Sequence, residues 1–211
     1  MLTLPVEAGS AAANPPVRIL VIGRTESVLS ELIMILREKG YAAGATNEFD
    51  HTLDLFDIRQ LDLVVFGGMV PPDTKDQLRE QISTRNPSVV FVQGYAGIPG
   101  LVAEQVEAAL GDSTTRPASS VAYDAQSRSI GISLEGPQDV AIIVWWHTSF
   151  VPPEPKSTSQ VILDGRLLAG THAIAIPHAV PHQASFATVS IGGSVHAFIV
   201  GPMPSGTTMA R

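Results

Sequence analysis

The hydrophobic pattern becomes regular at Val17. VRILVIG, Val17 to Gly23, is a nearly unbroken run of β-branched and aliphatic residues, as in a strand covered on both faces. TESVLSELIMILREKG follows, with Val28, Leu29, Leu32, Ile33, Ile35 and Leu36 at helical spacing. Thr25 or Ser27 can cap its first turn, and Gly40 supplies a left-handed stop. The grammar then repeats. Tyr41 to Thr46 reads as a short strand of small residues, and Phe49 to Arg59 as a weaker helix carrying Leu53, Leu55, Phe56 and Ile58. Leu61 to Phe66 is a second buried strand, ending in Gly67-Gly68. Pro71 and Pro72 lead to Asp73, a cap for the helix of Leu78 and Ile82, and Val89 to Val92 makes the next strand. GIPGLVAEQVEAALG is a helix with Val102, Val106, Ala109 and Leu110 on one side. This alternation predicts right-handed crossovers and a doubly wound parallel sheet.

After Gly111 helical periodicity stops and turn signals arrive every eight to twelve residues. Strands are predicted at 120–123, 129–134, 139–147, 160–163, 166–176 with a bend or break at Gly170, 185–191 and 195–200. Asp164-Gly165 and Gly192-Gly193 read as hairpin turns, and Gly136-Pro137 as a tight reversal. Seven or eight short antiparallel strands imply a β-sandwich of immunoglobulin-like appearance, with no strand order derivable. The expected organisation is a flexible arm (1–16), an α/β domain (17–111), a linker (112–119), a β-sandwich (120–201) and a flexible tail (202–211).

Composition narrows the function classes. Hydrophobic residues make up 45% of the 211, enough for a substantial core. There is no cysteine, which removes disulfides, thiolate zinc sites and thiol nucleophiles. The opening segment lacks the basic start and apolar core of a signal peptide, and no apolar run approaches a membrane span, so a soluble, cytoplasmic protein is expected. Through Asp112 there are fifteen acidic against eight basic residues, whereas the remainder carries five of each. Neither half has the basic patch that binding to a phosphate backbone requires, and no nucleic-acid partner is expected.

Three segments resemble the receiver domain of bacterial response regulators. VRILVIGRTESV is similar to the first receiver strand, DLVVFGGMVPP to the strand and loop that present the phosphoacceptor aspartate, and VVFVQGYAG to the fourth strand. The resemblance covers roughly Val17 to Leu110 and implies a flavodoxin-like or receiver-like domain, one strand and one helix short. Placed on the family pattern, Gly23 and Arg24 stand where an acidic pair would hold magnesium, Gly67 at the phosphoacceptor, and Gln93 at the phosphate-reading hydroxyl. The lysine of the fifth strand has no clear counterpart. Magnesium needs carboxylate oxygens and glycine offers no acceptor atom, so the resemblance implies a pseudo-receiver without phosphotransfer. Whether the last helix matches the fourth or the fifth of a receiver stays open.

Other constellations are weaker. Gly23 before a helix could cradle a phosphate, but Thr25 and Val28 occupy the places of the further glycines of a dinucleotide fingerprint. His172, His178 and His182, with His147 elsewhere, are the candidate zinc, copper or iron ligands. Their spacing argues against a site, because His172 lies in a strand, the other two lie in a proline-bounded loop, and no carboxylate follows Arg166. A serine hydrolase lacks its G-x-S-x-G. Trp145 and Trp146 are adjacent in a strand and must face opposite sides. One suits the core, and the other an inter-domain contact or an exposed patch for a protein or sugar. The neighbouring loop, with Pro152 and Pro153, reads as a stiff contact surface.

The reading that follows is a non-catalytic regulatory or adaptor protein with no cofactor, working through a protein partner or self-association. A metal-binding protein or enzyme with a histidine site on the sandwich is the alternative, and a structural subunit of a larger assembly the third.

Overall fold

The structure, a computed structural model, describes residues 15–95, 97–111, 119–149, 156–183 and 185–201. The expected arm (1–16, apart from its last two residues), linker (112–119, apart from Ser119) and tail, together with Pro152 and Pro153, lie outside them.

The first half builds β1 (Arg18–Ile22), α1 (Glu26–Glu38), β2 (Ala42–Thr46), α2 (Thr52–Leu55), β3 (Leu63–Phe66), α3 (Pro72–Arg85), β4 (Val90–Gln93) and α4 (Pro99–Leu110). The four strands are parallel in the order β2-β1-β3-β4. Apolar residues on alternate sides of β1 and β3 serve two helical layers. Ile19, Val21, Leu63 and Val65 pack with α1 and α4, while Leu20, Ile22, Val64 and Phe66 pack with α3 and the α2 region. The sheet is thus covered on both faces, as its unbroken apolar strands require.

Local differences from the sequence expectation have physical causes. Gly40 stops α1 at φ 90°, but the Thr25 hydroxyl makes no capping bond. The weak helix of 49–59 breaks into two 3₁₀ turns flanking the single turn of α2. Helix α3 begins at Pro72, whose missing N–H costs nothing there, so Asp73 sits inside the first turn instead of capping it.

The second half forms β5 (Ser119–Asp124), β6 (Ser129–Leu134), β7 (Gln138–Ser149), β8 (Lys156–Leu167), β9 (Gly170–Ala175), β10 (Ser185–Ile191) and β11 (Ser194–Ile199). A sheet in the order β5-β6-β9 faces one in the order β11-β10-β7-β8, and every pairing is antiparallel. Ile130, Ile132 and Leu134 of β6 meet Val140, Ile142 and Val144 of β7 and Ala187, Val189 and Ile191 of β10 between the sheets. In the seven-strand layout of an immunoglobulin constant domain the fourth strand joins the sheet of the first two. Here the fourth strand, β8, pairs with β7 instead.

That pairing overrides one turn signal. Asp164 and Gly165 form no hairpin, because they lie opposite Ala141 and Val140 along the twelve-residue β8, which absorbs Ile162 as a bulge. The chain leaves β8 only at Leu168 and re-enters β9 at Gly170, where φ is 128°. Gly192-Gly193 does turn a two-residue hairpin, with φ of 54° and 85°.

Helix α4 joins the two halves. Val102, Ala103 and Val106 face the parallel sheet on the same flank as α1. Ile98 and Leu101 face Phe186 of β10, with Tyr95 and Trp145 alongside. Gly100 gives the indole its room, since a Cβ there would collide with the six-membered ring of Trp145. At its far end Gly111 lies against the β10–β11 hairpin, where a Cβ would come within 3.2 Å of the Gly193 carbonyl. Helix α4 also shields the edge of β4. The Gln105 amide donates to the Gln93 carbonyl at 3.0 Å, and its oxygen accepts from Tyr95 N–H at 2.9 Å. This is the bond pair that a residue of a parallel fifth strand would make opposite Gly94.

Two outcomes follow. In Gln105→Ala the Tyr95 amide should exchange about tenfold faster in an NMR hydrogen-exchange experiment, the loss of one hydrogen bond of ~1.4 kcal/mol. Gly100→Ala should lower stability by about 1–3 kcal/mol in denaturant unfolding, and Trp145→Phe in the same chain should recover part of it.

Candidate functional site

Doubly wound sheets present their chemistry beyond the carboxyl ends of their strands. Here β1, β3 and β4 each end in a glycine, and the backbones close together. Gly23 N–H donates to Thr46 O at 3.1 Å, Gly67 N–H to Ile22 O at 2.8 Å and Gly94 N–H to Phe66 O at 2.8 Å. A side chain on Gly23 would press Leu29 Cδ2 at 3.0 Å, and one on Gly94 would meet Val102 at 3.3 Å. A Cβ on Gly67 would sit 3.4 Å from both the Gly23 Cα and the Ile22 carbonyl. Gln93 folds over this rim, its amide donating to Phe66 O at 3.0 Å and Gly94 O at 3.2 Å. Arg24 points to solvent. None of these four positions offers a carboxylate, and the Gln93 amide is already engaged.

Helix α3 carries a cationic pair, Lys75 and Arg79, that no motif in the sequence marks. Lys75 shares the buried stripe of α3 with Leu78 and Ile82 and is only 6% exposed. Burial, and then the charge of Arg79, hold its ammonium below the usual lysine range. The Arg79 guanidinium lies 5.4 Å from the Phe66 ring centroid and 5.9 Å from that of Phe91, over two stacked rings. The signal in the sequence is the spacing of Lys75, Leu78 and Ile82, which places the lysine on the core face.

The histidines are not brought together. His147 is on β7 and His172 on β9, in opposite sheets, and the His172 Nε2–H donates to Leu168 O at 2.8 Å. His178 is exposed in the loop after β9. His182 accepts from Arg128 Nη1 at 3.1 Å, and Arg128, at φ 48°, also donates to Val180 O at 3.0 Å. Among the described residues no three metal-ligating side chains converge.

The tryptophans divide as adjacency in a strand demands. Trp146 packs into the sandwich core, whereas Trp145 lies on the outer face of its sheet against α4. The Trp145 Nε1–H donates to the buried Thr188 hydroxyl at 3.1 Å, which fixes the plane of the ring. Beside it opens a groove of about 290 Å³ between the two halves, lined by Glu31, Ile35 and Lys39 of α1, Ile98 and the α4 residues Gly100, Ala103 and Glu104, Trp145, and Ser157 to Ser159 of β8. Lys39 is shared between Glu104 at 3.6 Å and Glu107 at 3.7 Å. The Tyr41 hydroxyl donates to Glu107 at 2.6 Å.

Burial first, then the bond to Glu107 and the charge of that carboxylate, push the Tyr41 pKa up to about 12. The neutral phenol is therefore favoured in the folded chain. Its contribution is complete below the unfolded value near 10 and is lost as pH rises from there toward 12. Thermal unfolding across this window should show a stability decline that Tyr41→Phe reduces.

No protein-family model matches the sequence, and no curated protein matches it either. Among solved structures, a glutamine amidotransferase from Thermotoga maritima is 16% identical over 86% of this chain and 74% of its own, with a TM-score of 0.32. A β-glucosidase from Erythrobacter marinus is 5% identical over 89% of this chain and 46% of its own, also with a TM-score of 0.32. A protein of Agrobacterium tumefaciens is 12% identical over 94% of this chain and its full length, with a TM-score of 0.28. At such values these similarities say nothing of activity, ligand or partner. What stands on the chain's own topology is a doubly wound α/β domain followed by two antiparallel sheets in a sandwich-like arrangement.

Proposed function

We propose that this chain is a non-catalytic regulatory or adaptor protein: a pseudo-receiver domain that kept the scaffold and lost the phosphoacceptor, coupled to a β-sandwich that contacts other proteins. The observation that carries this reading is the rim of the parallel sheet. By the resemblance, Gly23, Arg24, Gly67 and Gln93 fall where a receiver has its acidic pair, its phosphoacceptor and its phosphate-reading hydroxyl; none of them is a carboxylate, and the Gln93 amide donates to Phe66 O and Gly94 O. A phosphoryl group there would find neither an acceptor oxygen nor the carboxylates that hold magnesium. Among the described residues the parallel sheet has no fifth strand and α4 packs against the sandwich, so the output surface that a receiver builds from that strand has no counterpart there. The chain has no cysteine and so no disulfide that calls for an oxidising compartment, and no helix among the described residues is long and apolar enough to cross a membrane; we place its work in the cytoplasm.

The test is intact-mass spectrometry after incubation with acetyl phosphate and magnesium. The wild-type mass should stay unchanged, and Gly67→Asp should gain no magnesium-dependent phosphoryl group, since the paired carboxylates are still missing. A magnesium-dependent phosphoryl adduct mapped to the rim of the wild-type chain would overturn the proposal.

A further inference from the structure

The groove beside Trp145 has a charge imbalance that the fold itself does not use. Two carboxylates, Glu31 and Glu104, line it against one cation, Lys39. That ammonium is also divided with Glu107, just behind the groove wall. Among the described residues Glu31 has no ion-pair partner, and Lys156, which begins β8, does not line the groove. One positive charge, paired with Glu104 and Glu107, therefore stands beside three negative ones, in a half of the chain that already has fifteen acidic and eight basic residues. The Trp145 indole lines it too, and its N–H is tied to Thr188, so the ring is held in place without help from a ligand. Ser157, Thr158 and Ser159 add hydroxyls along one wall.

We infer that this groove is a docking site for an arginine side chain presented by a basic segment of a partner protein. Three features select that occupant. The negative excess asks for a cation. A planar guanidinium stacks on an indole and points its N–H groups outward in the same plane, where carboxylates and hydroxyls can accept them. The volume of about 290 Å³ lies at the bottom of the range of small-molecule sites (~300–1,000 Å³), so it suits one long side chain better than a whole metabolite. The apolar stem would lie along Ile35, Ile98 and Ala103. Because α1 and α4 form one wall and β8 the other, an arginine here touches both halves and favours their present arrangement.

This deepens the adaptor reading by naming the partner's chemistry, yet the two fail separately. Phosphorylation at the sheet rim would overturn that reading and leave the groove's charge unchanged.

The full chain has two tryptophans, so its indole N–H region holds two NMR resonances, assignable with Trp146→Phe. The probes are N-acetyl-arginine amide, its uncharged citrulline analogue and methyl glucoside as a neutral polyol. The arginine probe should shift the Trp145 resonance saturably while Trp146 stays in place, and citrulline and glucoside should not. Glu31→Gln, a change on an exposed residue that leaves the core alone, should weaken arginine binding about fivefold at low salt. Raising the salt should weaken it in the wild type more than in the variant. An unshifted Trp145 resonance at the solubility limit of the arginine probe, an equal response to citrulline or glucoside, or unchanged affinity in Glu31→Gln would each overturn the inference.

Discussion

The structure depends on the burial of α4 between two sheets. Not one of its twelve residues is exposed. Val102, Ala103 and Val106 complete the core over the parallel sheet, and Ile98 and Leu101, on the turn before, are pressed against Phe186 of the sandwich. Full burial of an aliphatic or aromatic side chain is worth about 1.5–3 kcal/mol, so the contacts on either side of α4 are large against the usual margin of a folded domain. Strand β10 shows the same condition from the other side. Ala187, Val189 and Ile191 fill the sandwich, while Phe186 and Thr188, on the opposite face, are buried beneath α4 and the Trp145 ring. Neither half would keep its present surface without the other.

This arrangement also covers part of the edge of β4, beside which no fifth parallel strand lies among the described residues. An open edge invites pairing with other chains. Here the Gln105 carboxamide reproduces one residue of that strand, and the helix carrying it is held in place by the sandwich. At the strand ends Gly23, Gly67 and Gln93 offer no carboxylate, and at the seam between the halves Glu31, Lys39, Glu104 and the β8 hydroxyls line a groove with Trp145.

Much of this was legible in the chain because its signals are local. The β-branched runs of β1 and β3, the helical spacing of α1, Gly40 as a stop and Gly192-Gly193 as a hairpin all act within a few residues, where sterics and periodicity decide the outcome. The absence of carboxylates at positions 23, 24 and 67 could be read directly, and adjacency alone required that Trp145 and Trp146 part. Asp164-Gly165 misled for the complementary reason. Its turn propensity is worth little against the long ladder with β7, a partner that no local window contains.

By itself, then, the sequence determined most of the elements, their two-part order and the lack of carboxylates at positions 23, 24 and 67, because composition and short-range periodicity carry that information. Tertiary structure alone decided that α4 lies beside α1, that β8 joins β7, that Trp145 and not Trp146 faces the other half, that Lys75 is buried, and that Glu31, Lys39 and Glu104 meet Ser157 to Ser159. Each of these is a contact between residues far apart in the chain, selected by the burial of apolar faces, and apolar faces record that they must be covered without recording by what.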